Sequence, residues 1–188
     1  MKKVLVTIVA LFLFVGISQA QNKMYGNVGV NVMLPMGSFG DGAGTGIGGT
    51  AQFEMQFMPQ LLGTASAGYI KWGGKDQTIL GSKYSYSISA VPILVGAKYY
   101  FMPSGGFYGQ AQLGLFFFST SVDAPAVSTT FGTFGGSSSA SSSEFTFAFG
   151  AGYELPLSPK LMLDLGGSFL LISNSNNIGL RAGVKFGL

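Results

Sequence analysis

The stretch Ile178–Leu188, IGLRAGVKFGL, sets apolar residues at every even position and only Gly, Arg and Lys between them. Successive side chains of an extended strand point to opposite faces, so a period of two gives one apolar and one polar face. The same period recurs in eight segments bounded by turn residues: Met24–Leu34, Gly46–Met58, Gln60–Trp72, Tyr84–Met102, Gly106–Thr120, Ser143–Leu155, Lys160–Ser173 and Ile178–Leu188. In the first, Val28, Val30 and Val32 oppose Asn27, Gly29 and Asn31. In the second, Phe53, Met55 and Phe57 oppose Gln52, Glu54 and Gln56. The sixth sets Phe145, Phe147, Phe149 and Tyr153 on one side, while the facing of the third is less clear. No apolar run after Gly16 approaches the length of a spanning helix.

The polar face decides between two all-β architectures. A soluble barrel turns its apolar face inward and covers its outside with Lys, Glu and Asp. Here charged residues are 9% of the chain, where a soluble domain carries about 25%. The polar positions are Gly, Ser, Thr, Asn and Gln, and the apolar face is Leu, Val and Phe. Lipid outside and small polar residues inside fit this composition. The connections alternate in kind. Those at Pro59, at Pro103–Gly105 and at Pro156–Pro159 are short and carry proline; Pro35–Thr45, Gly73–Lys83 and Ser121–Ser142 are long and rich in Gly, Ser or Asp; Asn174–Asn177 is a tight turn. Short periplasmic turns and longer extracellular loops are the layout of membrane barrels. The expected fold is therefore all-β, an eight-stranded antiparallel up-and-down transmembrane β-barrel. Pro92 cannot donate to a ladder, and the polar phase changes from Ser85, Ser87 and Ser89 to Lys98, so a bulge is expected near it.

Six charges fall on the inner face: Glu54, Lys98, Glu154, Asp164, Arg181 and Lys185, three acids and three bases. A balanced set inside one lumen avoids both a charge in lipid and an unpaired buried charge. A last turn centred near Ser175 sets Asp164 opposite Lys185; the same parity argument sets Lys98 opposite Gln110 and Glu54 opposite Thr64. Aromatic residues near strand ends are expected at the membrane interfaces: Tyr25, Tyr99, Phe101, Phe107, Tyr153 and Phe186 at the periplasmic one, Tyr69, Trp72, Tyr84 and Phe117 nearer the outer one. Phe116 and Phe118 have inward parity, so the interior is expected to be partly plugged.

The start of the chain reads as an address. Lys2 and Lys3 precede an apolar run from Val4 to Val15, and Ser18-Gln19-Ala20 supplies the small residues of a cleavage site, so residues 1–20 are expected to be a secretory signal peptide. The remaining 168 residues, 21–188, fit one domain. Without Cys there is no disulfide, thiolate metal site or lipidated cysteine, and without His the commonest general base and metal ligand are missing. Asp41, Asp76 and Asp123 lie in separate loops with no catalytic pattern. The glycine run at Gly40–Gly49 lacks the Lys-Ser/Thr of a phosphate loop and reads as a loop entering a strand. With the leader removed, 8 Lys/Arg face 7 Asp/Glu, which is no nucleic-acid footprint. No enzyme, cofactor, metal or nucleic-acid partner is expected.

Through its eight alternating segments, its loop alternation, its leader and the segment VPILVGAKYYF at Val91–Phe101, the chain resembles the small outer-membrane β-barrels typified by the membrane domain of OmpA and by OmpX, over Gln21–Leu188. The resemblance implies outer-membrane lipid as surroundings and insertion by the barrel-assembly machinery. It also implies roles in membrane integrity, adhesion or host interaction through the loops, with an extracellular or host ligand. The family's last strand normally ends in an aromatic residue; this one ends in Leu188, with Phe186 two residues earlier. No segment matches a peptidoglycan-binding domain, so no cell-wall tether is expected. A structural or surface-interaction role is the expected function. The alternative is a narrow pore for ions or small solutes, because many lumen positions are Gly or Ser. A lipid-modifying enzyme and a soluble lipid-binding barrel are the remaining readings.

Overall fold

The computed structural model describes residues 23–188 except 75–76, 80–81, 130–131 and 174, and the side chains of 74–86 and 122–138 are left out of the description. The proposed leader and Tyr84's side chain therefore lie outside the described residues. Among the described residues nine strands form: β1 (Met24–Pro35), β2 (Ala43–Met58), β3 (Leu61–Gly74), β4 (Gln77–Ile79), β5 (Ser82–Tyr100), β6 (Phe107–Thr129), β7 (Gly132–Ser158), β8 (Leu161–Ile172) and β9 (Asn177–Gly187). A short helix α1 (Gly37–Gly42) joins β1 to β2. Each strand pairs antiparallel with the next except β3, which pairs with β5 and not with β4, and β1 pairs with both β2 and β9. Eight strands thus close a ring with no free edge in the wall, and β4 adds only a short ladder at the start of β5.

The alternation is turned inside out relative to a soluble fold. Val28, Val30, Ile93, Val95, Leu113, Phe147 and Leu180 stand exposed on the outer wall. Asn27, Gln52, Glu54, Lys98, Glu154, Asp164 and Lys185 are buried inside. This is the surface of a barrel that stands in a bilayer. Val30 is 63% exposed and lies in the middle of β1 between Gly49 and Ala182. Val30→Arg is expected to cost about 2–4 kcal/mol, the cost of a cation on the lipid face near the midplane. Urea titration in lipid vesicles measures it, with Val30→Leu as the neutral control.

Three glycines on the outer wall sit under aromatic rings. A Cβ on Gly26 would lie 2.6 Å from the Phe186 ring, one on Gly63 2.4 Å from Phe57, and one on Gly109 3.3 Å from Phe101. The ring covers backbone that the glycine leaves bare.

Several sequence expectations are corrected. Ser121–Ser142 is not a loop: β6 and β7 continue through most of it as a paired ladder, Ser121 opposite Ser139 and Asp123 opposite Ser137. Tertiary pairing overrides the weak strand propensity of a serine run. No bulge occurs at Pro92, because a proline removes a donor without adding a residue. The β5–β6 ladder runs unbroken past it, and the β3–β5 ladder skips Gly68 and Tyr69 and resumes in the same register. Ser87 and Ser89 keep the outward phase of Val91 and Ile93, and Lys98 keeps the inward one.

The Gly-rich stretch after β1 also contains α1, which the sequence disfavours. Three of its six residues are Gly, each costing about 1 kcal/mol against Ala in a helix. No side chain caps α1 and none of its residues is buried. The half-buried Phe39 ring is nevertheless packed into the loop end of the barrel.

Candidate functional site

The interior holds two stacked plugs. All six predicted inner-face charges meet in the one nearer the turn end. Lys98 Nζ lies 2.6 Å from Glu54 Oε1, 3.0 Å from Glu154 Oε1 and 3.7 Å from Asp164 Oδ2. Lys185 Nζ reaches Glu54 Oε2 at 2.7 Å and Glu154 at 3.3 Å. The Glu54 Oε2 contact is an ion pair outside hydrogen-bond geometry. Arg181 donates to Asp164 Oδ2 at 3.0 Å and to Asn27 Oδ1 at 2.8 Å. Glu54, Lys98 and Asp164 are each 0% exposed, so three positive and three negative charges offset one another away from water.

Residues that sequence reasoning passed over complete the network. Tyr100 donates to Glu154 Oε2 at 2.7 Å and accepts from Lys185 at 2.6 Å. Tyr108 donates to Asp164 Oδ1 at 2.6 Å, and Asn27 donates to Asp164 Oδ2 at 2.5 Å. Gln110 donates to Gln52 at 3.1 Å, and Gln52 donates to Glu54 Oε1 at 2.7 Å. The Tyr108 hydroxyl fits because Gly152 and Gly166, opposite each other on β7 and β8, have no Cβ: one added there would lie 2.4 and 2.9 Å from it. The Lys98 and Lys185 ammonium groups also stand 4.3 Å from the ring centres of Tyr108 and Tyr25. The signal for Tyr100 and Tyr108 was their even parity, shared with Lys98 and Gln110.

Asp164 and Lys185 are not paired. Asp164 lies opposite Gly183, and Lys185 opposite Met162. The turn closes two residues tighter than expected, with Ser175 N–H donating to Ile172 O and Ile172 N–H to Asn176 Oδ1. A shift of two keeps every side chain on its face, so the charges still meet, with different partners. Lys98 opposite Gln110 and Glu54 opposite Thr64 are as expected. Asp164→Asn removes the charge that Arg181, Tyr108 and Asn27 address. It is expected to cost about 1.5–3 kcal/mol, the range for hydrogen bonds to a charged group. The urea midpoint of the heat-modifiable folded band reports it.

The second plug, toward the loop end, is apolar. Met33, Ile70, Trp72, Ile88, Leu94, Phe116, Phe118, Leu170 and Ile172 form one buried cluster. Trp72 stacks near Phe118 at 5.9 Å, Phe118 near Phe116 at 5.8 Å, and the Trp72 indole N–H donates to Asn177 Oδ1 at 3.3 Å. Two of the proposed girdle residues are therefore corrected. Trp72 is wholly inside, and Tyr25 faces Lys185 in the interior, each following the inward parity of its strand. Tyr69, Tyr99, Phe101, Phe107 and Phe117 stand on the outer wall. Tyr153 is half-buried against Phe107, 4.6 Å between ring centres, and Phe186 covers Gly26. Between the plugs lies a chamber of about 90 Å³, lined by Gln52, Gln112 and Arg181 below and Leu94, Phe116 and Leu170 above. It has room for about three waters.

Glu54, Glu154 and Asp164 bring carboxylate oxygens within 4.8 Å of one another, a spacing that suits a cation. The Lys98 ammonium occupies that position, so the cluster carries its own cation. The arrangement is a charge-balanced, hydrogen-bonded network.

No family model matches the chain, and no curated protein does. Solved structures do. The Yersinia pestis attachment invasion locus protein Ail superposes with a TM-score of 0.60 at 12% identity, over 89% of this chain and 99% of that one. Neisserial surface protein A superposes with 0.57 at 15% identity, over 87% and 96%. A major outer membrane protein from Thermus thermophilus gives 0.57 at 16% identity, over 90% and 100%. At these identities the likeness is one of fold: that of the small eight-stranded outer-membrane β-barrels.

Proposed function

We propose, from that fold, that the protein resides in the outer membrane and acts through the surface it presents outside the cell, with the barrel as a sealed anchor. In this reading the short turns and both strand termini face the periplasm and the β6–β7 hairpin faces outward. The observation that carries it is the hairpin's free side. Among the described residues the β7–β8 ladder begins at Thr146, so Gly132–Phe145 of β7 pair with β6 alone. A strand edge of that length offers unpaired N–H and C=O groups to an extended polypeptide. Its sequence is mostly Gly and Ser, residue types that give little steric obstruction. In this reading outer-membrane lipid surrounds the barrel, the assembly machinery inserts it, and its role is not catalytic.

The pore reading is disfavoured by the two plugs, whose side chains are buried in the lumen. In planar bilayers the native protein is expected to show no steady open level. A steady level would restore the pore. Replacing 121–142 by a two-residue turn removes the hairpin together with the outermost β5–β6 pairs, Ser85–Asp123 to Ser87–Ser121, and leaves the β5–β6 ladder from Ile88–Thr120 and the β6–β7 ladder from Phe117–Ser143. It is expected to abolish binding to intact cells or host matrix, read as surface-bound ligand per folded barrel; unchanged binding would move the site elsewhere. Ail has been solved in complex with the heparin analogue sucrose octasulfate. A sulfated glycan therefore belongs beside polypeptides among the ligands tried.

A further inference from the structure

We infer that the loop-end plug is a binding pocket for an aromatic side chain of an external polypeptide, and that Phe39 of α1 is its built-in, displaceable occupant. This site is separate from the hairpin edge and goes beyond that reading.

The helix is half glycine, lacks a side-chain cap and buries no residue. At its ends Met36 N–H donates to Asn176 O at 2.9 Å, and Ala43 N–H closes onto Phe39 O. Its one aromatic anchor is the Phe39 ring, edge-on to Trp72 at 5.8 Å and to Phe118 at 6.3 Å. The receiving surface, by contrast, is buried and packed. Trp72 is 0% exposed and held by Asn177, and Phe118 leans on Phe116. A preformed aromatic cup under a weakly built segment favours exchange: another phenyl ring makes the same edge-to-face contacts while α1 swings aside on Gly37, already at φ +60°. Because the occupant on hand is a ring carried by a short glycine-flanked loop, a polypeptide presenting an aromatic residue matches the site.

Trp72 is the only tryptophan in the chain, so its emission reports the cup directly. The test uses the full protein in lipid vesicles, with Phe39→Ala and the milder Phe39→Leu, each first shown to be folded by heat-modifiable migration. Phe39→Ala is expected to red-shift Trp72 and raise its quenching by acrylamide several-fold. The peptide GSFGDG in trans should reverse both changes saturably, whereas GSAGDG should not. The native chain should bind GSFGDG roughly tenfold or more weakly than Phe39→Ala, because a latch closed at least about nine-tenths of the time reduces apparent affinity by that factor. Phe117→Ala, on the outer wall, should leave Trp72 unchanged. The proposal falls if Trp72 stays protected in both Phe39 variants or if the native chain binds GSFGDG as well as Phe39→Ala does. It also falls if benzyl alcohol protects Trp72 while GSFGDG does not, which would make the cup a small-molecule site.

Discussion

Lys98→Met is expected to lower the unfolding free energy by about 3–5 kcal/mol, the range for removing one partner of a buried ion pair. The lysine's ammonium stands among all three interior carboxylates, at 2.6, 3.0 and 3.7 Å. Without it, Glu54, Glu154 and Asp164 face two cations, and Asp164 keeps Arg181 beside its neutral donors Tyr108 and Asn27. The cost comes from leaving a desolvated carboxylate short of a partner, not from losing one attraction. Lys98→Met combined with Glu54→Gln should therefore recover part of the loss, since charge balance returns. Urea titration of both variants in vesicles, with the outward-facing Lys71→Met as a control, measures the set. A Lys98→Met effect below about 1 kcal/mol, the scale of exposed pairs, would show that the interior is wet.

Phe116→Ala is expected to cost nearly as much, about 3–5 kcal/mol for an aromatic ring deleted from a core. Its ring is 1% exposed, packs on Phe118 and forms part of the ceiling of the central chamber. Truncation enlarges an existing void, and the rigid wall limits collapse around it. The next residue supplies the contrast. Phe117 faces lipid, where acyl chains fill whatever a truncation vacates, so Phe117→Ala should cost far less. Equal costs for the two would overturn the assignment of inner and outer faces. The same titration decides it.

The ring was legible because its signal is redundant. Eight segments repeat one period, and the six interior charges all obey it. A parity argument survives errors of register, and the β8–β9 turn shows this: a slip of two changed Asp164's partner and left the charge cluster intact. Less was legible where one residue type suits two places. Trp72 and Tyr25 are aromatic residues near strand ends, which fits an interface as well as a plug. The third segment carries Leu62 and Ile70 inside and Ala65, Ala67 and Tyr69 outside, so its composition separates the faces poorly. The extension of β6 and β7 was hidden because serine and glycine read as loop until the partner strand is known. The Tyr108–Asp164 contact depends on two glycines of later strands, a coincidence of position that no local window contains. The dipping of α1 into the barrel rests on one ring, against its own helix propensity.

The reach of the charge network along the chain has a kinetic consequence. Lys98 finds Glu54 44 residues away, Asn27 finds Asp164 across 137 and Arg181 across 154. The six charges come from β2, β5, β7, β8 and β9, so no single hairpin can neutralise its own share. An unfinished sheet halfway into the bilayer would carry stranded ions, and contacts this distant form slowly. Charge balance in the interior is therefore complete only once the last strand, which carries Arg181 and Lys185, has joined the sheet and met the first.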